Sequence, residues 1–170
     1  MANGVAFIGS GSAQVETALS NDMLSTVVDT SDVWISTRTG IPQRHAANGP
    51  ESLSVLAAQA ARGAIAAANP SPEEIDLIVL ATSTPDDLFG TACQVQAAIG
   101  ATRAVAFDLT AACSGFVFGV VTAAQFIRTG VYRNVVVIGA DLLSRWVDWQ
   151  DRTTCVLFGD GAGAVVMQAC

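Results

Sequence analysis

Apolar residues in this chain occur mostly as short continuous runs and not in strict alternation with polar ones. The runs in Ile75–Ala81 and Asn134–Gly139 are typical of strands whose two faces are both buried, so helices are expected on both sides of a sheet. Between the runs lie longer segments rich in helix-forming residues and closed by glycine or proline. This order predicts an α/β fold, and the length of 170 residues suits one domain or a large fragment.

The hydrophobic pattern places strand and helix signals in turn along most of the chain. Strands are predicted over Val5–Gly9, Ile75–Ala81, Ala104–Leu109, Asn134–Gly139, Val156–Phe158 and Ala162–Gln168. Helices are predicted over Asn21–Asp29, Ser31–Thr39, Ser52–Ala68, Gly90–Ile99 and Gly115–Arg128. The second helix has Ser31 as its opening residue and Gly40 as its closing one.

Composition restricts the class of protein. Only 14% of the residues are charged and 51% are apolar, so part of the surface is expected to be buried against another body. A net charge of −7 with eight basic residues predicts no nucleic-acid partner. No run reaches the roughly 18 apolar residues that span a bilayer, so no membrane partner is expected. No basic residue precedes the first apolar run, as one would in a secretory signal.

The four cysteines are Cys93, Cys113, Cys155 and Cys170, and no two of them form a C-x-x-C pair. This spacing argues against a zinc site or a redox dithiol, so no metal is expected. Unpaired cysteines fit a reducing compartment, and the predicted location is the cytoplasm.

Two glycine-rich segments and one histidine suggest chemistry that the pattern does not support. Gly9–Gln14 follows a strand but lacks the third glycine of a dinucleotide-binding loop. Gly159–Gly163 lacks the Lys-Ser/Thr of a phosphate-binding loop and is expected to form a tight turn between two strands. His45 is the only histidine, and a structural, hydrogen-bonded role is favoured over that of a catalytic base.

Cys113 is the residue whose position says most about chemistry. It follows the strand that ends at Leu109 and precedes the helix that begins at Gly115. There its thiol would face the positive end of the helix dipole and unpaired backbone N–H groups, both of which stabilise a thiolate nucleophile. Small flanking residues leave room for a ligand. From position alone, a buried and inert cysteine remains the alternative.

Four segments of the chain match motifs of one known family, in the family's order. They are Thr30–Ile41 with Arg44-His45 behind it, Phe89 followed by Ala92-Cys93-Gln94, Ala111–Phe116, and Asp151-Arg152 followed by Phe158–Gly163. Together they resemble the β-ketoacyl-acyl carrier protein synthase III family of the thiolase-like superfamily. The resemblance favours Cys113 as a nucleophile over an inert cysteine.

The resemblance implies a thiolase-like fold, in which two similar α/β halves form a five-layer αβαβα sandwich, and a homodimer. Residues 1–170 would be the N-terminal half, which carries the nucleophile. The C-terminal half of the same enzyme, with the family's catalytic His and Asn, would lie outside this chain. His45 would not replace that His, because its motif match is to the N-terminal segment.

The resemblance also implies an acyltransferase that initiates fatty acid biosynthesis. Acetyl-CoA would be condensed with malonyl-acyl carrier protein through an acyl-Cys113 intermediate, giving acetoacetyl-acyl carrier protein, CoA and CO2. Acyl-CoA is then a substrate, and no cofactor is expected. The alternatives are a starter-unit ketosynthase of a polyketide pathway and a non-catalytic ketosynthase-like partner subunit; the latter usually lacks the nucleophile.

The same resemblance assigns substrate-binding roles. Trp34 and Arg152 match residues that sandwich the adenine of CoA, and Arg38 matches a residue beside the nucleotide. Phe89 matches a residue that reaches across the dimer to line the partner's acyl pocket, and Phe158 belongs to the last of the four motifs. The backbone N–H of Cys113 would help to hold the thioester oxyanion.

Overall fold

Residues 4–170 are described by the computed structural model of the chain. Their strands are β1 (Val5–Ala13), β2 (Ala18–Ser20), β3 (Gln43–His45), β4 (Leu77–Ala81), β5 (Val105–Leu109), β6 (Asn134–Leu142) and β7 (Asp160–Ala169). Their α-helices are α1 (Asn21–Ser25), α2 (Asp32–Thr39), α3 (Leu53–Ala68), α4 (Thr91–Ile99), α5 (Gly115–Arg128) and α6 (Arg152–Cys155). Short 3-10 helices cover Pro72–Glu74, Ala112–Ser114 and Leu143–Arg145.

These elements divide into two compact units. The first unit comprises the described residues up to 13, with 52–141 and 162–170. The second unit comprises residues 14–51 and 142–161.

The first unit is built on a five-stranded sheet in the order β1-β7-β6-β4-β5. β4 pairs in parallel with both β5 and β6, whereas β1 pairs antiparallel with β7. All five residues of β4 are buried, which confirms that the continuous apolar runs mark strands covered on both faces. Because β4, β5 and β6 are parallel, the segments that follow them meet at one edge of the sheet.

One face of this sheet is covered by α3 and α4, which also pack against each other. The approach of α3 to β1 is so close that glycine is required. A Cβ atom on Gly9 would lie 2.4 Å from the carbonyl oxygen of Ala64, and one on Gly11 would lie 2.4 Å from that of Ala60. The glycines of the segment Gly9–Gln14 therefore serve packing, in agreement with the prediction that it is not a dinucleotide-binding loop.

The opposite face of the sheet is covered by α5. Its buried contacts with the strands form a core of Leu77, Val79, Ala123, Ile127, Val135, Val137 and Met167. Away from this core, α5 leaves Val117, Phe118 and Val121 more than half exposed. The helix thus has one buried apolar face and a second apolar face that the described residues do not cover, as the low charged fraction led us to expect.

The second unit consists of short elements around a small core. β2 and β3 form an antiparallel pair, and α1, α2 and α6 supply most of the rest. The core residues are Leu24, Ile35, Cys155 and Val156. The predicted boundaries of α2 are confirmed: the Ser31 hydroxyl accepts a hydrogen bond from the Trp34 backbone N–H, and Gly40 closes the helix with a φ of 71°.

Two predictions near the end of the chain are wrong. Val156–Phe158 is not a strand, since Val156 caps the short helix α6, which at four residues is too short to show a helical period. Gly159–Gly163 is not a tight turn between strands, because β7 already begins at Asp160. The glycines there alternate with alanine along an extended strand that pairs with β1.

Among residues 4–170, no helix combines the length and apolarity needed to cross a bilayer. Within the same residues, no group of three or more potential ligands forms a metal site.

Candidate active site

Cys113 lies at the junction that the sequence predicts. β5 ends at Leu109, a 3-10 turn covers Ala112–Ser114, and α5 begins at Gly115. The cysteine is exposed, so it is not the buried thiol of the alternative interpretation. It stands at the carboxyl edge of the parallel strands, where open α/β sheets usually bind their ligands.

Ala112, the residue before Cys113, has an unusual backbone conformation. Ala112 has a φ of 46°, in the left-handed region that an L-residue enters at a cost of about 1–2 kcal/mol. Such strain persists only where the surrounding structure imposes it, and it is common at sites of chemistry. Here it belongs to the turn that directs the chain from β5 into α5 and presents the Cys113 side chain.

Small residues bring the start of α5 close to the sheet. A Cβ on Gly115 would lie 3.1 Å from the Cβ of Ala81, the last residue of β4. A Cβ on Gly119 would lie 3.0 Å from Cγ1 of Val137 in β6. These close approaches fix the amino end of α5, and with it Cys113, against the ends of the central strands.

In the second unit, three of the residues predicted from the resemblance lie together. The guanidinium carbon of Arg38 is 4.5 Å from the centroid of the Trp34 ring, and that of Arg152 is 4.7 Å from it. Both distances are within the range of cation–π attraction. Arg38 is one helical turn from Trp34, whereas Arg152 comes from α6 and donates from Nη1 to the carbonyl oxygen of Asp29 at 3.0 Å.

The space between Trp34 and Arg152 is too narrow for a base to lie between them. Stacking a planar ring between Trp34 and Arg152 requires about 7–8 Å between the two groups, twice an ordinary carbon contact. The observed 4.7 Å is too short, so Arg152 must swing away before a base can enter. Arg152 is exposed, which leaves its side chain free to move.

The short helix α6 is fixed by Asp151. Its carboxylate accepts hydrogen bonds from the backbone N–H of Thr153 at 2.8 Å and from the Thr153 hydroxyl at 2.6 Å. These bonds, with that from the Thr153 hydroxyl foremost, lower the pKa of Asp151 below its usual value. A charged Asp151 thus holds the first turn of the helix that carries Arg152.

Two buried residues that support α2 were missed by sequence reasoning. The amide of Asn21, 1% exposed, donates to Oδ1 of Asp32 at 2.8 Å and to the carbonyl oxygen of Ile41 at 2.9 Å, so it ties both ends of α2. Arg44 donates from Nη2 to Oδ1 of Asn21 at 2.6 Å, and burial lowers the pKa of this arginine. Arg44 falls within a recognised motif, but no local pattern marks Asn21.

Thr30 carries a buried hydroxyl and is adjacent in sequence to two residues that support the Trp34–Arg152 cluster. It lies between Asp29, whose carbonyl oxygen binds Arg152, and Ser31, which caps the helix of Trp34. Its Oγ1 has no hydrogen-bond partner among residues 4–170. A buried hydroxyl without a partner is costly, so the structure keeps Thr30 Oγ1 here at the expense of stability.

The two predicted phenylalanines lie in different units. Phe89 is 93% exposed in the segment between β4 and α4, next to Leu88, which is 97% exposed. It borders an open cavity of about 450 Å³ that Cys93, Phe107 and Thr110 also line. Phe158 lies between α6 and β7 and is about one-third exposed.

His45 has the structural role that the sequence favours. Its Nδ1 donates to the carbonyl oxygen of Val15 at 2.7 Å, and its backbone belongs to β3. Nothing in this geometry gives it the part of a catalytic base.

We expect Cys155 to resist alkylation in the folded protein. It is completely buried, and burial raises the pKa of its thiol, with nearby Asp151 adding to the effect and Arg44 opposing it. Iodoacetamide at pH 8, followed by peptide mass spectrometry, should modify the exposed Cys93, Cys113 and Cys170 while Cys155 stays unmodified. In urea all four should react; labelling of Cys155 as fast as Cys93 without denaturant would contradict its burial.

Comparison with known proteins finds the family that the sequence motifs resemble. The family model of 3-oxoacyl-[acyl-carrier-protein] synthase III matches residues 107–170, which include Cys113. The β-ketoacyl-[acyl-carrier-protein] synthase III of Trichormus variabilis is 72% identical over 166 residues, covering 98% of this chain and 50% of the relative. That of Acaryochloris marina is 68% identical over 169 residues, covering 99% and 51%.

Solved structures agree. The 3-oxoacyl-[acyl-carrier-protein] synthase III of Aquifex aeolicus has a TM-score of 0.94 at 53% identity and covers 97% of this chain and 54% of its own. The priming β-ketosynthase of the R1128 polyketide pathway has a TM-score of 0.96 at 35% identity, covering 99% and 51%. These likenesses define a thiolase-like α/β fold.

The chain belongs to the β-ketoacyl-acyl carrier protein synthase III family. It spans about half the length of the curated relatives it matches.

Proposed function

We propose that the protein catalyses the condensation that initiates fatty acid biosynthesis, with Cys113 as the acyl carrier. Acetyl-CoA and malonyl-acyl carrier protein would give acetoacetyl-acyl carrier protein, CoA and CO2. The observation that carries the proposal is an exposed thiol at the amino end of α5, preceded by the strained Ala112, in a chain of this family. No cofactor enters the proposed reaction.

The proposed chemistry has two stages. The Cys113 thiolate attacks the carbonyl carbon of acetyl-CoA, the new C–S bond forms, and the CoA thiolate leaves. The malonyl group then loses its carboxylate as CO2, and the electron pair of the broken C–C bond remains as a carbanion. The carbanion attacks the acetyl carbonyl, a C–C bond forms and the Cys113 thiolate is released. The backbone N–H of Cys113 is assigned to the oxyanion.

Recognition of CoA is assigned to the second unit. Trp34 and Arg152 would hold the adenine between them once Arg152 has moved aside, with Arg38 beside the nucleotide. Phe158 is assigned to substrate contacts on its motif match.

We further propose that the protein is a homodimer. β5 lies at one end of the five-strand order, so one of its edges faces no strand of this sheet. Leu88 and Phe89 are almost fully exposed, and large apolar side chains in that state usually contact a partner. A second copy is the proposed partner, with Phe89 reaching into its acyl pocket.

The exposed apolar face of α5 is a second surface that we expect to be covered by another part of the protein. We assign it to a C-terminal half of the same fold, since the curated relatives are about twice as long as this chain. That half would supply the His and Asn needed for decarboxylation. The proposed location is the cytoplasm, the compartment where free thiols such as Cys93 and Cys113 stay reduced.

The proposed function is tested with the protein that carries both halves, by supplying acetyl-CoA, labelled in the acetyl group, together with malonyl-acyl carrier protein. We expect label in acetoacetyl-acyl carrier protein, with one CO2 released per product. Malonyl-acyl carrier protein alone serves as the control for uncoupled decarboxylation. A protein that forms neither acyl-enzyme nor condensation product from acetyl-CoA, but uses longer acyl-CoA primers, would instead favour the polyketide starter-unit alternative, which the likeness to the R1128 enzyme keeps in view.

A non-catalytic partner subunit is the less favoured alternative. Such a subunit has no use for an exposed nucleophile, whereas here Cys113 is present and accessible. A purified protein with a reduced Cys113 that takes up no acyl group from any acyl-CoA would favour this alternative.

We expect Arg152→Ala to weaken acetyl-CoA binding by about 1–2 kcal/mol, from the loss of stacking and of a charge contact. KM for acetyl-CoA should rise about 5–30-fold, with kcat little changed. Acetyl-pantetheine, which lacks the nucleotide, should be used equally well by both proteins. Arg103→Ala, which removes an exposed arginine in the first unit, is the matched control. An equal loss with both donors would exclude an adenine-binding role.

A further inference from the structure

The segment that follows β4 is held by a single carboxylate oxygen. Oδ1 of Asp141, near the end of β6, accepts hydrogen bonds from the Thr82 hydroxyl at 3.2 Å, the Ser83 backbone N–H at 2.8 Å and the Thr84 hydroxyl at 3.0 Å. Thr82 and Thr84 are only 4% and 3% exposed. Asp141 therefore satisfies polar groups that are removed from water and fixes residues 82–84 against the end of the sheet.

The same segment is bonded to the chain that leads to the nucleophile. The backbone N–H of Thr82 donates to the carbonyl oxygen of Leu109 at 3.1 Å. The hydroxyl of Thr110 donates to the carbonyl oxygen of Thr82 at 3.0 Å. Thr110 is three residues before Cys113, and the strained Ala112 lies between them. A strained turn keeps its conformation only while its flanks are fixed.

We propose that Asp141 is a positioning residue for Cys113. By holding residues 82–84 it fixes Thr82, and Thr82 fixes Leu109 and Thr110 at the start of the turn that presents the thiol. A displacement of a reacting atom by about 1 Å can cost a hundredfold in rate, so a loosened turn should be visible as lost reactivity. The value of this role for acyl transfer rests on the proposed function, but its effect on the thiol does not.

Two substitutions of Asp141 test whether its oxygen acceptor is what positions Cys113. All three hydrogen bonds go to Oδ1, so Asp141→Asn keeps an oxygen acceptor in place, although a neutral acceptor binds more weakly. Asp141→Ala removes the acceptor and leaves two buried hydroxyls and one N–H without it. Positioning therefore predicts a graded series in which the asparagine variant retains most of the reactivity.

The chain offers a matched control at the opposite edge of the same sheet. Oδ2 of Asp76, the residue before β4, accepts hydrogen bonds from the backbone N–H groups of Arg133 at 2.8 Å and Asn134 at 2.9 Å, where β6 begins. Asp76→Ala thus removes a comparable carboxylate from the amino ends of the strands. It should lower stability without reaching Cys113.

The test is the rate at which iodoacetamide alkylates Cys113, followed by mass spectrometry from pH 6 to 10 with Cys93 as an internal standard. In Asp141→Ala, the alkylation rate of Cys113 should fall about tenfold at every pH. The kcat for acyl transfer should fall at least as much, while KM for acetyl-CoA stays unchanged. Asp141→Asn should stay within about threefold of the wild type. In Asp76→Ala, Cys113 should be alkylated at the wild-type rate.

Two results would overturn the proposal. One is a wild-type alkylation rate of Cys113 in folded Asp141→Ala. The other is an equal loss of Cys113 reactivity in Asp76→Ala, because such a loss would follow from lower stability in general and not from positioning. If Asp141→Ala does not fold, Thr82→Val keeps the shape of the side chain while it removes one donor to Asp141 and the acceptor of the Thr84 backbone N–H. Cys113 should still react more slowly than in the wild type. Alkylation needs no acyl-CoA, so the Asp141 effect should appear even in a protein that proves inactive in condensation.

Discussion

Replacing Cys113 with serine should abolish acyl transfer and leave the fold intact. Serine is nearly isosteric at this exposed position, but its hydroxyl is a far weaker nucleophile than a thiolate, so turnover should fall by at least about 10³-fold. With labelled acetyl-CoA, the wild type should carry the acetyl group on the peptide that contains Cys113, as a thioester that hydroxylamine removes. The melting temperature should not change.

The control is Cys93→Ser, which alters a second exposed cysteine and should keep full labelling and turnover. Label that persists in Cys113→Ser and moves to Cys93 or Cys155 would contradict the assignment of the nucleophile. The outcome bears on the proposed function as a whole, because every step of the proposed chemistry passes through this sulfur.

Gly11→Ala should be among the most destabilising small substitutions in the first unit. Its new Cβ would lie 2.4 Å from the carbonyl oxygen of Ala60 and 2.4 Å from the backbone nitrogen of Ala64, so α3 must move away from β1. Overpacking against a rigid backbone costs about 3 kcal/mol. Urea denaturation followed by circular dichroism measures the change in the free energy of unfolding.

Gly63→Ala is the matched control, since it adds the same methyl group from the other side of the contact. Its Cβ would lie 3.4 Å from Cα of Gly11, an ordinary van der Waals distance. Alanine also favours a helix over glycine by up to about 1 kcal/mol. We therefore expect Gly63→Ala to be neutral or stabilising; a loss of stability similar to that of Gly11→Ala would mean that the close approach of α3 to β1 is not the cause.

Local signals were sufficient for much of the fold. The bounds of α2 follow from Ser31 and Gly40, and those of α5 from Gly115 and Arg128, because helix ends are set by hydrogen bonds within a few residues. Buried strands such as β4 were recognisable because burial on both faces requires a continuous apolar run. The strand–helix junction at Cys113 was recognisable for the same reason: strand, turn and helix are consecutive in the chain.

Local signals failed where a segment's conformation is set by a distant partner. The glycines of Gly159–Gly163 look like a turn, yet pairing with β1, about 150 residues away in sequence, draws them into β7. β2 and β3 are three residues each and have no pattern long enough to read. The exposure of Cys113 is also a property of packing and not of sequence position.

The sequence by itself determined the order of strands and helices in the first unit, the residue types at the strand–helix junction of Cys113 and the family to which they point, because these depend on neighbours along the chain. Only the tertiary structure decided that Arg152 closes over Trp34, that Asn21 ties both ends of α2, and that Asp141 holds the segment beside the turn that leads to Cys113. Each of these contacts joins elements separated by long stretches of sequence. Their formation depends on how the strands and helices pack, which no local pattern encodes.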